Sequence, residues 1–142
     1  MGRKVLLLDT NIFVEALLQQ ERAQECVQLL HNRDDDYTIA LTEFSLYSVG
    51  IILEKNGGQA IWKRFLRDCQ AASFILVSSS YELEEEILEI AERHKLDIDD
   101  AHQYEAARRL DADLVSFDRD FDRTDIQRKE PRDFLWKRNL NI

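Results

Sequence analysis

A chain of 142 residues, 44% of them hydrophobic, fits one domain of common size that buries a single core. Its formal net charge of −9 argues against broad, nonspecific adhesion to nucleic acid, which uses an excess of Lys and Arg. No apolar run approaches the ~20 residues of a membrane span, and the aliphatic residues Val5 to Leu8 after Met1-Gly2-Arg3-Lys4 are too few for a signal-peptide core, so a cytoplasmic protein with no membrane partner is expected.

Lys4 to Leu8 predicts a strand buried on both faces, as inside a parallel sheet, and it stops on the polar Asp9, Thr10 and Asn11. Ile12, Phe13, Ala16 and Leu17 then predict a helix over residues 11–18, and Ala23, Cys26, Val27 and Leu30 a second over 22–31. "NRDDD" (32–36) reads as a turn and "YTIAL" (37–41) as the second strand. Thr42 is placed to cap "EFSLYSVGIILEK", a helix that Asn56-Gly57-Gly58 ends. Trp62, Phe65, Leu66 and Cys69 keep helical spacing over 59–68, and "SFILVS" (73–78) is a third strand. The next helix, 81–94, buries Leu83, Ile87, Ile90 and Ala91 and turns its glutamates to water. "LDIDDAHQYEAARRL" (96–110) reads as a loop feeding a helix capped by Asp99 or Asp100. "DADLVSF" (111–117) is the fourth strand and "DRDFDRTD" (118–125) a polar loop. Residues 126–129 form a weak edge strand, and Pro131 opens a last helix, "PRDFLWKR". Cys26 and Cys69 fall on apolar helix faces far apart, which predicts reduced core thiols rather than a zinc site.

Charge is unevenly spread. Residues 79–100 carry nine acids against two bases, whereas 117–138 carry seven bases against six acids, which leaves room for a local basic surface near the C-terminus. Strands alternating with helices predict a single α/β domain over residues 1–142, built on a parallel sheet.

In open parallel sheets ligands bind beyond the carboxyl ends of the strands. Asp9 follows the first strand, Glu43 stands one residue past the cap after the second, Asp118 follows the fourth, and Asp100 opens the helix leading into the fourth. Two carboxylates about 4 Å apart repel by roughly 4 kcal/mol at an effective dielectric near 20. The helix N-termini behind them return only about 0.3 to 1 kcal/mol each. A divalent cation resolves the conflict, and oxygen ligands without His or Cys select Mg²⁺ or Mn²⁺. Such ions typically serve phosphate chemistry, activating a water or steadying a leaving oxygen. Thr10 and Asn11 are suited to orient a carboxylate, and Ser116 to do so for Asp118. Asp120 is either a further ligand or a loop-capping acid. Arg119, Arg123, Arg128 and Lys129 either meet substrate phosphate or offset neighbouring aspartates. His31, His94 and His102 sit where solvated or structural roles suffice, and no catalytic histidine is expected.

"LLLDTNIF", "LTEFS" and "DIDDAHQYEAARRLDADLVSFDRDF", in that order, resemble the PIN-domain ribonucleases over roughly residues 4–135. The resemblance implies a three-layer α/β/α fold with a central parallel sheet of four to five strands. It also implies a cluster of acids binding Mg²⁺ or Mn²⁺, with Asp9, Glu43, Asp100 and Asp118 matching the family's four acids in turn. The usual Thr-Asn-Asp of the last motif stands here as Ser116-Phe117-Asp118, which keeps the hydroxyl and loses the amide. Many single-domain members of this length look like VapC-type toxins of toxin–antitoxin pairs. The implied activity is metal-dependent endoribonuclease, with an RNA substrate, a homodimer and an antitoxin as expected partners. The alternative is a noncatalytic PIN-like module that holds RNA or protein.

Two rival enzyme classes fit less well. A haloacid-dehalogenase-type site wants an acid two residues after the first, where Asn11 stands; a receiver domain wants an Asp after the third strand, where Ser78-Ser79-Ser80 stand.

Overall fold

The computed structural model describes residues 4–31 and 37–135; the turn expected at 32–36 and the end of the last expected helix, beyond residue 135, lie outside them. In chain order the elements are β1 (Lys4–Leu8), α1 (Thr10–Leu17), α2 (Ala23–Leu30), β2 (Tyr37–Thr42), α3 (Glu43–Lys55), α4 (Gln59–Ala71), β3 (Ile75–Val77), α5 (Tyr81–His94), α6 (Ile98–Leu110) and β4 (Asp113–Val115). Two 3-10 turns, Arg119–Arg123 and Pro131–Phe134, follow.

The sheet runs β3-β2-β1-β4, with every pair parallel, so β1 is central, and Leu7 stands in register with Ala40 on one side and Leu114 on the other. Because side chains alternate along a strand, the "VLLL" run feeds two cores. Leu6 and Leu8 join Ile12, Phe13, Leu41, Val49 and Phe65 on the α1–α4 side. Leu7 joins Ala40, Ile87, Ala101, Tyr104 and Phe121 on the α5–α6 side. The result is the three-layer α/β/α arrangement expected. No helix among the described residues is long and apolar enough to cross a membrane.

Several boundaries differ from the sequence expectation, each for a local reason. The third strand is only Ile75–Val77, because Ser73 adopts a left-handed turn (φ 56°) just before it. The helix after residue 96 starts a turn earlier than expected: the Ala101 N–H donates to the Asp97 carbonyl at 2.9 Å. Asp97 is therefore its N-cap position, and Asp99 and Asp100 lie in its first turn. The polar stretch after β4 coils into the 3-10 turn at Arg119–Arg123. The expected edge strand at 126–129 reduces to one parallel bridge between Val115 and Lys129, since β4 is too short to pair further and Pro131 turns the chain away. From Pro131 the described chain forms a 3-10 turn ending at Phe134. Cys26 is buried and Cys69 half-buried, both free, and burial pushes their thiols up to about 12 and about 11, where they are inert.

Candidate functional site

Asp9 leaves the centre of the sheet with its own N–H bonded to the Val115 carbonyl at 2.9 Å, so β1 and β4 end together. It is the N-cap of α1 and only 6% exposed. The Thr10 N–H donates to its Oδ1 at 2.8 Å, the Ser116 hydroxyl to its Oδ2 at 2.6 Å, and the Asn11 amide to the same oxygen at 3.4 Å. Ser116 was expected to serve Asp118 and serves both acids: its Oγ also accepts the Asp118 N–H at 2.9 Å. The Thr10 hydroxyl turns away from the acids and bonds Ser45 Oγ at 2.9 Å, joining α1 to α3. Phe117, in place of an amide, still contributes through its backbone, whose N–H donates to Asn11 Oδ1 at 3.5 Å.

Asp100, 5% exposed, comes from the first turn of α6. Asp118 caps the following 3-10 turn, accepting the Asp120 N–H at 2.9 Å. Asp100, Asp118 and Asp120 each offer a carboxylate oxygen within 4.8 Å of one another. A second group of the same tightness, Asp97, Asp99 and Asp100, shares Asp100.

The electrostatics follow from this crowding. Burial pushes Asp9 up to about 6; the bonds from Ser116 and Thr10 hold it down, and the charges of Asp118 and Asp99 raise it. Asp100 is pushed up to about 8, first by burial, then by the charges of Asp118, Asp99 and Asp9 and by a hydrogen bond shared with Asp118. The charges that raise Asp100 are those of acids. Among the described residues no Lys or Arg pairs with Asp9, Asp100 or Asp118; Asp120 alone of the inner group has one, Arg123 at 2.6 Å. An all-oxygen, unneutralised donor set fits a hard divalent cation such as Mg²⁺ or Mn²⁺, and not zinc.

Glu43 is the first residue of α3, on the same sheet edge, but it belongs to neither tight group of acids. It lines an adjoining hollow of about 200 Å³ together with Phe44, Tyr47, His102 and Arg109. Arg123 is spent on Asp120 and on the Lys95 carbonyl, as an offset to neighbouring charge, while Arg119 is exposed. His102 is structural: its ring nitrogens meet Glu84 and the Ile98 carbonyl, each at 2.7 Å, and its ring stacks on Phe44.

Two site residues were not singled out for this role from the sequence. Asp99 had been read only as a cap, yet its charge reaches both Asp9 and Asp100. Gln103, 1% exposed, donates to Ser45 Oγ at 2.7 Å and ties α6 to α3 behind the acids. Its signal was available: a polar residue one turn after Asp100 and one turn before Ala106 and Ala107, on the same helix face.

The PIN domain family model matches residues 6–127. The chain belongs to the PIN domain family. No curated protein matches it. Among solved structures, this PIN domain superimposes on PAE2754 from Pyrobaculum aerophilum with a TM-score of 0.63 at 19% identity, covering 97% of this chain and 90% of that one. A toxin–antitoxin complex from Klebsiella pneumoniae gives 0.66 at 20% identity over 89% and 97%. VapC20 of Mycobacterium tuberculosis, a sarcin-ricin loop cleaving toxin, gives 0.66 at 17% identity over 86% and 96%.

Proposed function

We propose that this PIN domain is a metal-dependent endoribonuclease of the cytoplasm, and the toxin of a toxin–antitoxin pair. The observation that carries the reading is the inner group Asp100, Asp118 and Asp120, oxygens within 4.8 Å, with Asp9 and Asp99 adding charge and no base pairing with Asp9, Asp100 or Asp118 among the described residues. The residues that would hold a Mg²⁺ or Mn²⁺ ion are Asp9, Asp100 and Asp118, with Asp120 as a further ligand and Glu43 reaching in from the β2 end. Such an ion, when bound, would neutralise the cluster and lend Lewis acidity to a water and to a leaving oxygen.

The chain's own residues do the rest. Ser116, Asn11 and the Thr10 N–H fix the rotamer of Asp9, and the Asp120 N–H fixes Asp118. With no cation, Asp100 near neutral pH, and Asp9 below about pH 6, would retain a proton that binding displaces, because burial and neighbouring acids raise both. Arg119, next to Asp118 in the chain and exposed, would meet a substrate phosphate. The toxin reading is supported by the fold shared with the Klebsiella toxin–antitoxin complex and with VapC20, and the partners it entails are an RNA, an antitoxin and a second copy of the chain.

One observation favours the second reading, a noncatalytic binding module: Glu43 stands outside the tight groups of acids. Incubation of the purified protein with single-stranded RNA, with and without Mg²⁺ or Mn²⁺, separates the two. Cleavage that needs the metal and disappears in Asp9→Asn is the expected outcome. Metal-dependent cleavage that survives in Asp9→Asn, or RNA left intact under every condition, contradicts the nuclease reading.

A further inference from the structure

Two arginines and a glutamate join three distant segments behind the turn that carries Asp118. Arg128, whose side chain is 11% exposed, donates through Nη1 to the Ser116 carbonyl and to Glu130, both at 2.9 Å. Its Nε and Nη2 grip the two carboxylate oxygens of Asp122 at 3.1 and 3.2 Å. The other oxygen of Glu130 accepts from Arg22 at 2.7 Å, at the start of α2. Arg22 also holds Glu25 at 2.7 Å, and its guanidinium lies 4.0 Å from the centroid of the Phe117 ring. The segment 116–122 is thereby held at its first carbonyl, at its aromatic ring and at the far carboxylate. Arg128 and Glu130 both follow residue 127, where the family match ends.

That placement answers a mechanical problem. A five-residue 3-10 turn has few hydrogen bonds of its own, and it must keep Asp118 and Asp120 against Asp100 despite their mutual repulsion. Inside the cluster the Asp118 and Asp120 N–H bonds, the bond Asp118 shares with Asp100 and the Arg123 pair with Asp120 oppose that repulsion; the bonds from Arg128 to the Ser116 carbonyl and to Asp122 add to them from outside it. A planar guanidinium is needed, because one side chain must serve a carbonyl and two carboxylates at fixed angles, which an ammonium cannot do.

We propose that Arg128, seated by Glu130 and Arg22, is a positioning residue that sets the 116–122 turn so that Asp118 and Asp120 can share a divalent cation with Asp100. This rests on reading the cluster as a cation site. Mn²⁺ binding to the full chain, measured by calorimetry beside metal-free thermal melts, tests it in wild type, Arg128→Met, Arg128→Lys, Asp122→Asn and Asp125→Asn. Arg128→Met weakens Mn²⁺ binding by about 10- to 100-fold, the range for groups that orient metal ligands, and Arg128→Lys restores only part of it. Asp122→Asn weakens binding more than Asp125→Asn, which removes an equal charge from the same loop but is held by Tyr104 and Arg108. If Arg128→Met fails to fold, the Asp122 and Asp125 pair decides. Mn²⁺ affinity unchanged in folded Arg128→Met, or Asp122→Asn no weaker than Asp125→Asn, overturns the proposal while leaving the cation site standing. A wild-type chain that binds no Mn²⁺ overturns the cation reading itself.

Discussion

Asp9, at the end of β1, accepts bonds from the Thr10 N–H at 2.8 Å and the Ser116 hydroxyl at 2.6 Å, whereas Glu43, at the end of β2, makes no side-chain hydrogen bond or ion pair among the described residues. The first end is closed: Asp9 and Asp100 are 6% and 5% exposed, and neighbours fix Asp9 and Asp118 before any ligand arrives. The second end is open, with Phe44 and Tyr47 37% and 59% exposed around the same hollow as Glu43. On the proposed reading, ligation assembled in advance and ligation recruited on binding would sit side by side on one sheet edge. Fixing a carboxylate beforehand avoids ordering it later, so the β1–β4 side should account for most of the cation affinity and the β2 side for less.

The largest effect expected is that of Asp100→Asn, which removes the acid shared by both tight groups. Mn²⁺ affinity and RNA cleavage should each fall by more than about 100-fold, beyond the usual cost of losing an orienting group. The metal-free variant should melt no lower than wild type at pH 8, because the repulsion acting on Asp100 is relieved. Ser116→Ala comes next. It strips Asp9 of its shortest bond and leaves the Asp118 N–H without its acceptor, so a loss of about 1 to 3 kcal/mol in denaturant unfolding is expected, with Mn²⁺ affinity down about 10- to 100-fold. Glu43→Gln should be mildest in binding, within about tenfold, since its carboxylate is not pre-positioned. Equal losses of affinity in Glu43→Gln and Asp100→Asn would break the comparison.

The sequence displayed the closed end better than the open one. Asp9 and Asp118 announce themselves because each terminates an apolar strand, and strand ends in a parallel sheet share an edge by topology alone. Asp100 follows from its place in the α6 first turn, although the cap belongs to Asp97. What sequence spacing could not convey is which acids come within ligand distance. Glu43 opens α3 and Asp100 lies in the first turn of α6, yet only the latter is buried among other carboxylates. Asp99, exposed on the same turn, escaped because its charge reaches Asp9 and Asp100 only in the folded chain. The lengths of β3 and β4 were overread because β-rich residues continue past the ends of the ladder: Phe74 precedes the paired Ile75–Val77, and Phe117 follows the paired Asp113–Val115. The bracing by Arg22 and Arg128 was also unreadable, since it links residues 22, 116, 122 and 130, which are neighbours only after folding.

The central claim is that the acids meet in a pocket that takes up either protons or a divalent cation. With folded values of about 6 for Asp9 and about 8 for Asp100 against an ordinary 3.8, these two groups bind more protons in the folded chain than in the unfolded one between about pH 4 and 8. The metal-free stability they contribute declines as pH rises through that window, and a bound cation should restore it. The direct test is calorimetric titration with Mn²⁺ at pH 7 in two buffers of different ionisation enthalpy. Binding accompanied by proton release, with a melting temperature that Mn²⁺ raises more at pH 8 than at pH 5, is the predicted result. Absence of binding, or binding that releases no protons and shifts the melt equally at both pH values, would contradict it.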